Sequence, residues 1–280
     1  MLDIAIIGAG ELGGSLARAL ATGDVAGTIR LVDETGRVAE GTALDIMQSA
    51  PITGFAARLS GTTDVTSAAG AAVIVIADRP GAGEWQGDEG RLLLKRLSHL
   101  SAGSVVVCAG AAQRDLVECG VRDLGYARER LFGSAPEALA GAVRALVALE
   151  TNGSPKDVAL TVLGVPPNHV VVPWEEVTIG GFAATRVLDE PTRRRMTARV
   201  GPLWPPGPRA LASAAAKAVG GVLGRSRQLT VAFVAPDDTG GRRHRAAALP
   251  VRLGSEGIVR VELPSLSVHD QVALDNAMLL

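Results

Sequence analysis

"IAIIGAGELGGSLA", Ile4 to Ala17, joins a short β-rich run, a glycine-rich turn and the start of a helix. Gly8, Gly10 and Gly13 stand at the spacing G-x-G-x-x-G. The first glycine permits a tight turn out of the strand. The second lets a pyrophosphate approach the backbone, and the third lets helix and strand pack closely. The helix then offers unpaired N–H groups in its first turn, at Glu11, Leu12 and Gly13, where phosphate oxygens bind well. A glycine turn of this spacing also arises for packing alone, so its context decides. "TIRLVDE", Thr28 to Glu34, reads as the next strand, and Asp33 lies at its end, 20 residues past Gly13. An acid there accepts hydrogen bonds from ribose hydroxyls and repels a 2′-phosphate, which makes NAD the expected cofactor. Arg37, just beyond, softens the exclusion of NADP.

Outward from the turn, strand and helix patterns alternate. "RVAEGTALDIMQSA" reads as a helix closed by Pro51. "AAVIVIA" and "GSVVVCAG" are continuous apolar runs, as expected of strands buried on both faces. "GDEGRLLLKRLSHL" and "PEALAGAVRALVALE" read as helices. Repeated βα alternation predicts an α/β fold, a Rossmann doubly wound parallel sheet over residues 1–150. The turn-rich "ETNGSP" marks a boundary near Thr151–Ser154. Beyond it the pattern predicts a smaller α+β domain with antiparallel strands over residues 151–280. "LTVAFVAP" and "AAALPVRL" form its antiparallel pair, and Ser267 caps a last helix.

Composition narrows the function classes. The 280 residues are 47% hydrophobic and 20% charged, which suits a globular chain. The net charge of −1 gives no global pull toward nucleic acid or anionic membrane. Two cysteines, Cys108 and Cys119, make no disulfide framework, and no Cys/His cluster has zinc spacing, so no metal is expected. The N-terminus lacks the basic start of a signal peptide, and a reducing cytoplasm is the expected location. The basic runs Arg193–Arg195 and Arg242–Arg245 read as solvated faces.

With these motifs in view, the chain resembles the lactate/malate dehydrogenases. "GAGELGGSLA" with "LVDETGRVAEGTALDIMQSAP" is similar to their cofactor turn and the strand and helix after it. "NGSPKDVALTVLG", "VTIGG" and "LPVRLGSEGIVRVELPSLSVHDQVALDNAM" are similar to later segments. The resemblance implies a dinucleotide partner, a small-molecule substrate and a homo-oligomer assembled through helices that flank the sheet. It also implies a set of polar residues: a histidine acid/base, an aspartate that orients it, an arginine fork for the substrate carboxylate, a loop arginine and an asparagine.

Carried over one at a time, much of that set is missing. Counting back from "SPKDV", the aspartate position falls on Leu139 and the arginine position on Ala142. The nearest acid and arginine are Glu137 and Arg144, read as solvated helix residues. The asparagine position falls on Ala109 or Gly110, with no amide before Gln113. The histidine position falls on Pro166 or Pro167, and His169 follows two or three residues later. "ADRPGAGEWQGDEGRLLLKRL" has the layout of the family's mobile lid and its helix. Ala77 and Arg79 fall where cofactor contacts are expected, and Arg91 where the carbonyl-polarising arginine is expected.

Two readings stand. In one, the chain binds NAD through Gly8, Gly10, Glu11, Leu12, Gly13, Asp33, Ala77 and Arg79 but has lost ordinary 2-hydroxy-acid chemistry. In the other, it is a working NAD-dependent oxidoreductase with rearranged catalytic residues, Arg91 and His169, and an altered substrate.

Overall fold

A computed structural model describes residues 3–35, 37–101, 103–237 and 245–280. Its first half runs β1 (Asp3–Ile7), α1 (Glu11–Thr22), β2 (Thr28–Val32), α2 (Val38–Thr53), β3 (Arg58–Thr62) and β4 (Val73–Ile76). A hairpin of β5 (Asp78–Arg79) and β6 (Gly83–Glu84) follows, then α3 (Gly87–Leu100), β7 (Val105–Cys108), α4 (Arg114–Leu124), β8 (Leu131–Gly133) and α5 (Ala135–Glu150). The strands β3, β2, β1, β4, β7 and β8 pair in that order, all parallel. This is the doubly wound order, and its direction of growth reverses between β1 and β4. Ligands of such sheets bind in the crevice at the carboxyl ends of the strands flanking that reversal. The apolar runs account for the central strands, since β4 and β7 are buried along their whole length.

One helix end departs from expectation. α2 runs through Pro51 to Thr53 and ends at Gly54, whose φ is 82°. Pro51 stands in the last turn, where its missing N–H removes a single helical bond. The left-handed glycine then terminates the helix.

The second half contains β9 (Val158–Ala159), β10 (Leu163–Val165), β11 (His169–Val171), β12 (Thr178–Ile179), β13 (Phe182–Ala183), α6 (Ala184–Val187) and α7 (Glu190–Ala198). It closes with α8 (Pro208–Val222), β14 (Thr230–Val234), β15 (Ala247–Gly254), β16 (Gly257–Val261) and α9 (Val268–Met278). β14 and β15 are the antiparallel pair expected from the sequence. The large sheet crosses the boundary near Thr151, because β14 pairs antiparallel with β8 through Phe233 and Gly133. Ser267 caps α9, its hydroxyl accepting the Asp270 N–H at 3.1 Å.

α8 joins the two halves by packing on both α1 and α5. Its buried residues are mostly small, Ala212, Ala214, Ala215, Ala218, Gly220 and Gly221, with Leu211, Val219 and Val222 among them. With few aromatics, the core is filled by Ile, Leu and Val around Phe132 and Phe233. Among the described residues no helix is long and apolar enough to cross a membrane, and no group of three His, Cys, Asp or Glu residues is gathered as a metal site.

Candidate functional site

The crevice at the sheet reversal is bounded by three chain segments: the glycine turn after β1, the β5–β6 hairpin after β4, and the turn after β7. Gly8 has a φ of +110°, a conformation open to glycine at little cost. A Cβ on Gly13 would collide with the Gly8 carbonyl, so this glycine is required for α1 to leave β1 closely. A Cβ on Gly10 would collide with the carboxylate of Asp78. The group that approaches Gly10 is therefore one of the chain's own side chains.

Asp78 is bound there by three contacts. The Gly10 N–H donates to its backbone carbonyl at 3.0 Å. The Leu12 N–H donates to its Oδ2 at 3.2 Å and the Gly13 N–H to its Oδ1 at 2.9 Å. α1 has no side-chain cap at Gly10, so the Asp78 carboxylate satisfies donors that the helix leaves open. A carboxylate at that point also gains from the helix dipole, an effect of about 0.3–1 kcal/mol. Glu11 begins the helix with an exposed side chain, and Leu12 is buried beneath the turn.

Asp33 is 3% exposed. Its Oδ2 accepts the Ala9 N–H at 2.8 Å and its Oδ1 the Thr35 N–H at 2.8 Å. It fastens the glycine turn to the end of β2. Each oxygen keeps a further lone pair, so a ribose hydroxyl would add to these bonds rather than replace them.

The hairpin carries a second carboxylate into the crevice. Glu84 Oε1 accepts the Ala111 N–H at 2.9 Å, and its Oε2 the Ala112 N–H at 2.7 Å. These donors belong to the turn between β7 and α4. Arg79 pairs with Glu89 at 2.8 Å and lies over the Trp85 ring, 4.2 Å from its centroid. Trp85 is buried in the core and anchors the hairpin. The segment with the layout of a lid is a paired hairpin closed onto two backbone turns. Ala77, just before it, is buried, and its carbonyl accepts the Gln113 Nε2 at 3.2 Å. Gln113 Oε1 accepts the Gly110 N–H at 2.9 Å. The one amide near the family's asparagine position is therefore buried and holds the ends of β4 and β7 together.

The other candidates lie apart from one another. Arg91 is half-exposed on α3 and pairs with Asp123 of α4 at 3.2 Å. It lines a shallow cleft of about 280 Å³ with Asp115, Cys119 and Arg122. His169 is exposed at the start of β11, the strand at the far end of the sheet order from the glycine turn. Among the described residues its imidazole has no hydrogen bond or ion pair. Pro166 is buried and Pro167 exposed, joined by a cis bond. Leu139 is fully buried in the core.

Glu137 and Arg144 correct the expectation of solvated helix residues. Glu137 is 5% exposed. Its Oε1 accepts Arg144 Nη1 at 2.8 Å and Lys217 Nζ at 2.7 Å. Its Oε2 accepts the Val231 N–H at 2.8 Å and the Thr230 hydroxyl at 3.3 Å. Arg144 also donates to the Leu160 carbonyl. This face of α5 is covered by α8 and β14, which is why Glu137 is buried and Arg144 half-buried. Burial pushes the Glu137 carboxyl up, but Arg144 and Lys217 outweigh it and hold the group below its ordinary range. The cluster borders a cleft of about 790 Å³, and its one carboxylate is paired with both cations. Of the basic runs, Arg242, Arg243 and His244 lie outside the described residues, while Arg245 pairs with Glu118 and Asp115.

Sequence reasoning passed over Asp78, Glu84 and Lys217. Asp78 did carry a signal, being a carboxylate two residues past a buried parallel strand beside the glycine turn. Glu84 and Lys217 carried none.

Comparison with known proteins agrees with this architecture. Residues 2–96 match the family model described as lactate/malate dehydrogenase, NAD binding domain, so NAD is the cofactor for which the glycine-turn domain is built. The malate dehydrogenase of Thioalkalivibrio sulfidiphilus (strain HL-EbGR7) is 32% identical over 209 residues, covering 71% of this chain and 68% of that one. That of Desulforudis audaxviator (strain MP104C) is 27% identical over 294 residues, covering 98% and 94%. The solved malate dehydrogenase of Salinibacter ruber superposes with a TM-score of 0.88 at 22% identity, covering 99% and 94%. The glycine turn, Asp33 and the sheet reversal fit a dinucleotide. The pyrophosphate position fits one only with the Asp78 carboxylate moved off the Leu12 and Gly13 amides.

Proposed function

The chain belongs to the lactate/malate dehydrogenase family, and from that premise we propose that it binds NAD without ordinary 2-hydroxy-acid turnover. NAD, when bound, supplies or accepts the hydride of such reactions. The protein's own part would be to hold a substrate carboxylate, orient the carbonyl and move one proton.

A single observation carries the reading. By the resemblance, the three positions that would do this work fall on Pro166 or Pro167, Leu139 and Ala142, and the nearest acid, arginine and amide are engaged elsewhere. Glu137 and Arg144 are paired with each other, and Glu137 also takes Lys217. Gln113 bonds to backbone on both sides. His169 has no carboxylate to fix its tautomer. Losing one acid/base residue typically costs ~10²–10⁴ in rate, and losing its partners as well deepens the deficit without simple additivity.

The homo-oligomer is part of the same proposal. Leu44 and Ile52 are exposed on α2, a helix flanking the sheet, and light scattering of the purified chain tests it.

Calorimetry with NADH, followed by NADH absorbance with pyruvate and oxaloacetate, tests the functional reading. The expected result is binding with reduction at least ~10⁴-fold below ordinary enzyme rates. Turnover of either acid at ordinary rates would overturn the reading and leave Arg91 and His169 as the catalytic candidates.

A further inference from the structure

The acidic ends of the β5–β6 hairpin hold the backbone donors on either side of the crevice. Asp78 sits on the first turn of α1, and Glu84 on the turn after β7. Those donors flank the reversal point of the sheet, where a dinucleotide would lie. A pyrophosphate at a helix N-terminus relies on free N–H groups and on the positive end of the dipole. Asp78 occupies both, and the space above Gly10 as well. Its charge has the sign of the pyrophosphate it displaces.

We propose that Asp78 is a built-in occupant of the pyrophosphate position, so that a dinucleotide enters only by displacing it. The inference rests on the dinucleotide reading of the glycine turn. Asp78 opens β5, two residues past the end of β4, and is half-buried, so rotation of its side chain carries the carboxylate to solvent. The hairpin itself stays in place, because Trp85 is buried and Arg79 is held by Glu89 and the Trp85 ring. Glu84 shields the other end of the crevice. Its removal acts on the far half of the ligand and leaves the pyrophosphate position unchanged. The closed arrangement lowers the apparent affinity by the fraction of molecules in which Asp78 has swung out.

The test titrates NADH and ADP-ribose into the full chain by calorimetry, comparing wild type with Asp78→Gly, Asp78→Asn and Glu84→Gln. ADP-ribose carries the pyrophosphate without the nicotinamide. Both Asp78 variants are expected to bind both ligands about tenfold or more tightly than wild type. Glu84→Gln is expected to leave ADP-ribose unchanged. Asp78→Asn keeps an amide oxygen for one helix N–H, so it carries the comparison if Asp78→Gly does not fold. Equal isotherms for wild type and the Asp78 variants overturn the proposal. If all bind alike, the dinucleotide reading stands without it; if none binds, that reading falls too.

Discussion

The glycine turn and the α5 region differ in how their charges are placed. At the turn, the polar groups of a dinucleotide site are present, and one movable carboxylate covers them. In α5, charged residues are equally close together, but they are locked around the buried Glu137 carboxylate in a cluster joining α5, α8 and β14. The first region keeps a binding geometry behind a displaceable group. The second uses its polar groups to hold the fold, and Leu139 of the same helix is buried in the core. A nearby acid and arginine are therefore poor evidence of chemistry until their partners are known.

The comparison is broken most easily at Glu137. Glu137→Ala should destabilise the fold by about 3–5 kcal/mol in denaturant unfolding, because it leaves two cations and a backbone N–H without their acceptor. A loss below about 1 kcal/mol would show that the cluster is not structural. The same residue sets an acid limit. Its folded-state carboxyl lies below the ordinary value of 4.5, so its contribution is complete above that value and fades as pH falls through the lowered one. Glu137→Gln should therefore flatten the acid limb of a stability–pH curve; an unchanged limb would refute the assignment.

Asp78 should behave in the opposite sense. Asp78→Ala should cost about 0.5–2 kcal/mol of stability through loss of the helix cap while tightening NADH binding. A variant that gained affinity with no loss of stability would show that the carboxylate does not cap α1. The smallest effects are expected at Arg91 and His169. Arg91→Ala removes an exposed ion pair worth about 0.2–1 kcal/mol. His169→Ala should leave stability and NADH affinity within error. A large loss of NADH affinity in either variant would draw that residue into the site.

Much of the nucleotide half was legible in the sequence. The strand–turn–helix of Ile4 to Ala17, the acid at Asp33 and the apolar runs of β4 and β7 are set by local pattern, and the structure repeats them. What escaped depends on contacts distant in sequence. Asp78 meets α1 across 65 and 66 positions, and Glu84 meets the turn after β7 across 27 and 28. Lys217 reaches Glu137 across 80. Helical periodicity could not show that α5 is covered on the side bearing Glu137 and Arg144, because the cover comes from α8 and β14. The lid-like segment is a similar case, because its sequence does not show that Asp78 and Glu84 fasten it to two backbone turns as a hairpin.

The most direct measurement is a crystal structure of the wild-type protein grown with saturating NADH. The account predicts the pyrophosphate on the Leu12 and Gly13 amides, with the Asp78 carboxylate rotated away from them. A bound NADH whose pyrophosphate lies elsewhere, with Asp78 still accepting both N–H groups, would contradict it.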